Sequence, residues 1–150
     1  MFKIIRTHPG NTDFIGLVRM LDADLAVRDG ADHSFYDQFN KIDTIKYAVI
    51  AYEDDTPAGC GALKEFAADT MEVKRMFVIP ERRGKGIASK MLTELEKWAA
   101  ELSFTKCILE TGIKQPEAIR LYSSNGYVSI PNYGQYAVVE NSLCFEKRVK

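Results

Sequence analysis

The run Met76-Phe77-Val78-Ile79-Pro80-Glu81-Arg82-Arg83-Gly84-Lys85-Gly86-Ile87-Ala88-Ser89 restricts the fold of this chain more than any other stretch. A β-prone segment, Thr70 to Ile79, stops at Pro80; a basic turn with two glycines follows, and a helix starts at once. That helix, Ile87 to Leu102, has Ile87, Met91, Leu92, Leu95, Trp98, Ala99 and Leu102 at helical spacing, so one face is made for burial. Helix N-termini carry unpaired N–H groups and roughly half a positive charge. Basic side chains there are unfavourable unless an anion joins them, and glycines let the backbone approach phosphate oxygens closely. The local conflict points to a negatively charged ligand.

The rest of the chain surrounds this unit with short elements. Phe2 to Thr7 reads as a strand, halted by Pro9-Gly10. Asn11-Thr12-Asp13 opens a helix with Phe14, Leu17, Val18, Leu21 and Leu25 on one face, which Gly30 ends. His33 to Asn40 reads as a second short helix. From Lys46 the period shortens to two. Tyr47–Tyr52 and Gly59–Phe66 are strands joined through Asp54-Asp55-Thr56-Pro57, and Thr70–Ile79 completes a meander. Lys106–Glu110 is a buried-type strand, Pro116–Ser124 a helix, and Tyr127–Ile130 and Leu143–Val149 are final strands around a tyrosine-containing loop. The order β-α-α-β-β-β-α-β-α-β-β predicts an α/β fold, a mixed sheet with helices on both faces. At 150 residues, without repeat or linker, the expectation is one domain, residues 1–150.

Composition excludes several classes. A net charge of -1 gives no global attraction to nucleic acid or anionic membrane, so anion binding must be local. No apolar run approaches the ~18 residues of a membrane span, and the chain reads as cytoplasmic. Cys60, Cys107 and Cys144 sit in apolar, strand-like settings and read as buried thiols in a reducing compartment. His8 and His33 have no metal-ligand spacing, so no metal is expected.

Three known loops compete for the basic turn. A P-loop needs Gly-Lys followed by Ser or Thr, and here Gly86 follows Lys85. A dinucleotide loop needs three glycines directly after the strand; Gly84 and Gly86 give two and Ser89 stands at the third place. Glu110 ends the next strand at roughly the spacing of a ribose-binding acid, so a nicotinamide-binding domain stays open on these residues. The third loop fits: Arg83-x-x-Gly86-x-Ala88 matches the [RQ]-x-x-G-x-[GA] signature of the GNAT superfamily of acyl-CoA-dependent N-acetyltransferases. Pro116-Glu117-Ala118-Ile119-Arg120-Leu121-Tyr122 to Gly126-Tyr127 resembles the later A-I-x-L-Y…G-[FY] motif of that family. The resemblance covers Ala48 to Tyr127; Gln115 departs from it, standing where many members have Asn.

The resemblance implies a GNAT-type, mostly antiparallel sheet whose fourth and fifth strands splay apart, with acetyl-CoA as co-substrate. Pantetheine would lie in the gap against backbone near Phe77 and Val78. The pyrophosphate would sit on N–H groups of Arg83, Gly84, Lys85, Gly86, Ile87, Ala88 and Ser89, and Gln115 would add a further cofactor contact. Acetyl transfer to an amine needs a base. Glu72 is six residues before Val78, so strict alternation puts it on one face with Met76 and Val78. Histone-type members use a Glu at the matching place as the base, and Glu110 is the rival. Tyr122 matches the tyrosine that serves as general acid in many members. The resemblance implies direct transfer in a ternary complex, not a cysteine acetyl-enzyme. A non-catalytic acyl-CoA sensor of the same fold is the alternative. The acceptor is expected to be a small-molecule amine or a peptide, held between the acidic segment Arg28–Asn40 and the loop Asn132–Tyr136. The apolar last strand is a candidate for pairing across a homodimer.

Overall fold

A computed structural model of the chain describes residues 2–29 and 45–150. The strands are β1 (Phe2–Thr7), β2 (Tyr47–Glu53), β3 (Thr56–Ala67), β4 (Thr70–Val78), β5 (Lys106–Gly112), β6 (Val128–Ile130) and β7 (Ser142–Arg148). The described helices are α1 (Thr12–Asp29), α2 (Ile87–Glu101) and α3 (Pro116–Ser124). The predicted helix at His33–Asn40, and most of the acidic segment Arg28–Asn40, lie outside the described residues.

Local chemistry starts each element. Asn11 caps α1, its Oδ1 accepting from the N–H groups of Asp13 at 2.8 Å and Phe14 at 3.3 Å. The β2–β3 link is tighter than the sequence suggests: Glu53 pairs with Thr56, leaving Asp54 (φ 50°) and Asp55 (φ 67°) as a two-residue turn with both centres left-handed. β3 therefore begins three residues before the predicted Gly59.

The sheet runs β1-β2-β3-β4-β5-β7-β6, antiparallel except for β4 against β5. On one face, Phe14, Leu17, Val18 and Leu21 of α1 pack on Ala48, Ile50, Cys60, Ala62 and Phe77. On the other, Ile87, Met91, Leu92, Leu95 and Ala99 of α2 cover Val49, Leu63, Met71 and Val73, and Tyr122 of α3 joins them. Burial of each such large side chain stabilises the fold by about 1.5–3 kcal/mol. The structure changes one premise of the dimer expectation, the free last strand. β7 has β5 on one side and β6 on the other, so the last strand is not a free edge.

The splay lies between β4 and β5. Their pairing is limited to Thr70–Lys106, Met71–Cys107 and Glu72–Ile108. Beyond Glu72, β4 follows β3 as far as Gly59–Val78, while β5 follows β7 as far as Gly112–Ser142. A bulge sits on the departing strand. Cys60 pairs with Phe77 and Ala62 with Lys74, so β4 holds one residue more than β3, and Arg75 takes a left-handed φ of 58°. For a non-glycine residue that conformation costs roughly 1–2 kcal/mol.

The bulge overturns the parity argument for Glu72. Lys74 pairs with Ala62 and Glu72 with Lys64, so Glu72 lies on the α1 face with Phe77. Met76 and Val78 pack with the α2 cluster on the opposite face. One inserted residue reversed the alternation between Glu72 and Val78.

Gly59 shows how tightly β3, β4 and α2 pack. A Cβ there would stand 2.8 Å from the Phe77 carbonyl oxygen, which is backbone and cannot swing aside. Gly59→Ala is expected to destabilise the protein by about 1–3 kcal/mol, read as a lower denaturant midpoint with unchanged slope. An unchanged midpoint would mean that β4 can shift freely.

Candidate active site

The diverging strands open a cleft. Its inner end is lined by Glu72, Lys74 and Arg75 of β4, Glu110 of β5, Tyr122 of α3, Tyr136, and Leu21 and Leu25 of α1. Its outer end is lined by Phe77, Val78, Arg83, Gly84, Gly86, Ala88, Ser89, Gln115 and α3. Leu21, Met76, Gln115, Ala118 and Tyr122 border both ends, so the two adjoin.

At the outer end, α2 begins at Gly86 without a side-chain cap and without an acid in its first turn. Gly84 (φ 82°) and Gly86 (φ 81°) are left-handed, and a Cβ on either would meet nothing within 4 Å. Glycine is thus required by dihedral, and the space beside both is open. The Arg83 Nε donates to the Val78 carbonyl at 2.8 Å, and its guanidinium lies 5.6 Å from the Phe77 ring centre. The other cations of the turn are tied back to β2. Arg82 donates to Glu53, and the Lys85 Nζ is 3.2 Å from both Glu53 oxygens. Arg82, and then Lys85, hold the Glu53 carboxyl below the usual range. Of the predicted cofactor residues, Lys85 and Ile87 do not line the cleft; Ile87 is a core residue. Ser89 lines it, its Oγ accepting from Asn125 Nδ2 at 3.1 Å, which ties α2 to the end of α3.

At the inner end, Glu72 is only 3% exposed, and the Tyr133 hydroxyl donates to its Oε2 at 2.7 Å. Glu110 stands two residues beyond Ile108, the register partner of Glu72, so both acids share the α1 face. The Ser142 Oγ donates to Glu110 Oε2 at 2.7 Å. Tyr133 and Tyr136 come from the β6–β7 connection, Tyr133 packing edge-on against Phe66 at 5.2 Å and Tyr136 at 5.9 Å. Residue types suggested only that this loop forms a wall. The tyrosine bonded to Glu72 is 61 positions away, and no local pattern marks it.

Burial, with the nearby Glu110 charge, pushes the Tyr122 phenol up, so it stays protonated across the neutral and mildly alkaline range. Burial, with Glu72, does the same for Tyr133. Burial pulls the Lys74 ammonium down, while Glu72 opposes that pull. Arg75 donates to Asp22 of α1.

A family model described as the acetyltransferase (GNAT) family matches residues 17–127. The chain belongs to the GNAT acetyltransferase family. It is 37% identical over 103 residues to an IAA acetyltransferase of Azospirillum brasilense, covering 66% of this chain and 65% of that one. A candidate acyl-CoA N-acyltransferase of Klebsiella pneumoniae superposes with a TM-score of 0.84 at 29% identity, over 100% of this chain and 99% of that one. An N-acetyltransferase of Thermoplasma acidophilum, solved in complex with coenzyme A, has the same fold at TM-score 0.73 and 20% identity, over 99% of both chains. The chain spans about two thirds or less of the length of the first curated relatives it matches.

Within this GNAT chain the thiols are poor nucleophiles. Cys60 and Cys107 are fully buried and burial pushes each up to about 12; burial also raises Cys144. Thiolate, not thiol, reacts with alkylating agents. Iodoacetamide at pH 8 should therefore leave all three cysteines unlabelled in the native protein and label all three in denaturant, as read by intact mass. Rapid native labelling of one would reopen a cysteine-linked route.

Proposed function

We propose that this chain transfers the acetyl group of acetyl-CoA to a primary amine of a small molecule or peptide, by direct attack in a ternary complex. The observation that carries this reading is a cleft whose adjoining ends bring an uncapped, acid-free helix N-terminus together with two carboxylates and a protonated tyrosine. Acetyl-CoA, when bound, supplies an activated acyl group on a thiolate leaving group.

The outer end suits the diphosphate. Gly84 and Gly86 leave open space beside the first turn of α2, and Arg83 adds a cation fixed by Val78 and Phe77. Arg82 and Lys85 neutralise Glu53 and so keep an acid from competing with phosphate at the turn. Phe77, Val78 and Gln115 line the same end, where a pantetheine arm would lie.

The inner end suits proton transfer. A lysine-like amine has a pKa near ~10.4, so baring it at pH 7 costs about 4–5 kcal/mol unless a base assists. Glu72 is that base. Tyr133 holds Oε2 and orients the carboxylate, leaving proton uptake to Oε1 or to a bridging water. Glu110 is the second acid within reach of the cleft. Tyr122, held in its protonated form, delivers a proton to the departing sulfur. Three buried, unpaired thiols fit a cytoplasmic protein.

Glu72→Gln is expected to lower kcat by about 10²–10⁴-fold at neutral pH, with a smaller loss as pH rises toward the amine pKa. Coenzyme A release followed with a thiol reagent measures both. A variant that keeps the wild-type pH profile would move the base to Glu110. Tyr122→Phe should slow turnover with little change in acetyl-CoA affinity; loss of folding would assign Tyr122 to the core alone. Acetyl-CoA binding without turnover on any amine would favour the sensor reading.

A further inference from the structure

The acceptor end of the cleft holds charge of both signs. Glu72 and Glu110 line it, and so do Lys74 and Arg75. Arg75 is the unusual member. Its side chain is 1% exposed, yet its Nε is buried without a hydrogen-bond partner among the described residues. It also stands at the bulge with a left-handed φ of 58°, a conformation that arginine seldom adopts. The ion pair with Asp22 does not account for both costs. The Asp22 side chain is 43% exposed and meets the guanidinium at Nη2, which leaves Nε unbonded among the described residues. A buried guanidinium N–H left unbonded is costly, Arg75 lines the inner cleft, and guanidinium edges suit planar carboxylates. Lys74, the preceding residue, is 7% exposed and borders the same space.

We propose that Arg75, with Lys74 beside it, forms an anion subsite at the acceptor end of the cleft, and that the acceptor is an amine that also carries a carboxylate. This rests on the amine acetyltransferase reading and narrows its substrate class. The two glutamates draw in the amine and the two β4 cations take the carboxylate. The inner cleft then matches a zwitterion instead of the simple cation that acids and tyrosines alone would select.

Matched acceptor pairs test it: amino acids of increasing chain length against their own carboxamides, each pair compared at equal free-base concentration. The wild-type protein should favour the acids by roughly tenfold to a hundredfold in kcat/KM, mainly through KM. Arg75→Gln should bring that ratio close to one, and Arg75→Lys should restore only part of it. An acetyl-CoA-induced rise in melting temperature establishes that each variant is folded with an intact cofactor end. If Arg75→Gln does not fold, the wild-type ratio alone decides. Carboxamides used as well as acids by the wild type, or an acid preference unchanged in a folded Arg75→Gln variant, would overturn the subsite and leave the transferase reading standing. Absence of coenzyme A release with every amine would remove both.

Discussion

Everything at this site depends on two neighbouring strands that stop pairing. β4 and β5 share three register positions and then follow different partners, β3 and β7. Hydrogen-bonding edges in a sheet interior are costly to leave unmatched. The gap therefore presents backbone groups from both strands to whatever enters it. An extended chain with amide groups of its own suits such a gap better than a compact ring does. Glu72 sits at the last paired position, at the vertex of the opening, where the two strands are still in register.

The bulge at Arg75 is the second half of the same device. It reverses the alternation of β4, so the strand presents Glu72 and Lys74 to the α1 face and then sends Met76 and Val78 into the α2 core. Without it, Glu72 and Val78 would share a face, and either the acid would enter the α2 core or the valine would leave it. The strand therefore serves both a polar inner cleft and an apolar layer under α2. Charge is divided along the cleft as well. At the outer end Glu53 absorbs two cations of the turn and leaves Arg83 toward the opening. At the inner end Glu72, Lys74 and Arg75 of β4 and Glu110 of β5 line one space.

Much of this was legible in the residues. The period of three and four from Ile87 to Leu102, the Asn11 cap and the paired glycines of the basic turn are local signals, and local signals fix α1, α2 and the turn. The two motifs, thirty-odd residues apart in the chain, marked the family because their spacing reflects one strand and two helices. What failed was long-range or depended on one extra residue. No pattern in Val73-Lys74-Arg75-Met76 reveals a bulge, since the extra residue is compensated only by pairing with β3. The Tyr133–Glu72 bond joins residues that only the folded sheet brings together. The order β5-β7-β6 places the last strand inside the sheet, although in sequence it looks like a free edge. Sequence alone also does not show where the side chains of Lys85 and Ile87 go, one to Glu53 and the other into the core.

The central claim is that the uncapped start of α2 and the β4–β5 gap together hold an acyl-CoA. Calorimetric titration of acetyl-CoA and of NAD into the wild-type protein and into Gly84→Ala/Gly86→Ala tests it most directly. Alanine at both positions adds no clash but disfavours the left-handed turn. The account predicts saturable binding of acetyl-CoA, no heat from NAD, and acetyl-CoA binding weakened roughly tenfold or more in the double variant. Binding of NAD with none of acetyl-CoA, or acetyl-CoA affinity untouched by both alanines, would contradict it.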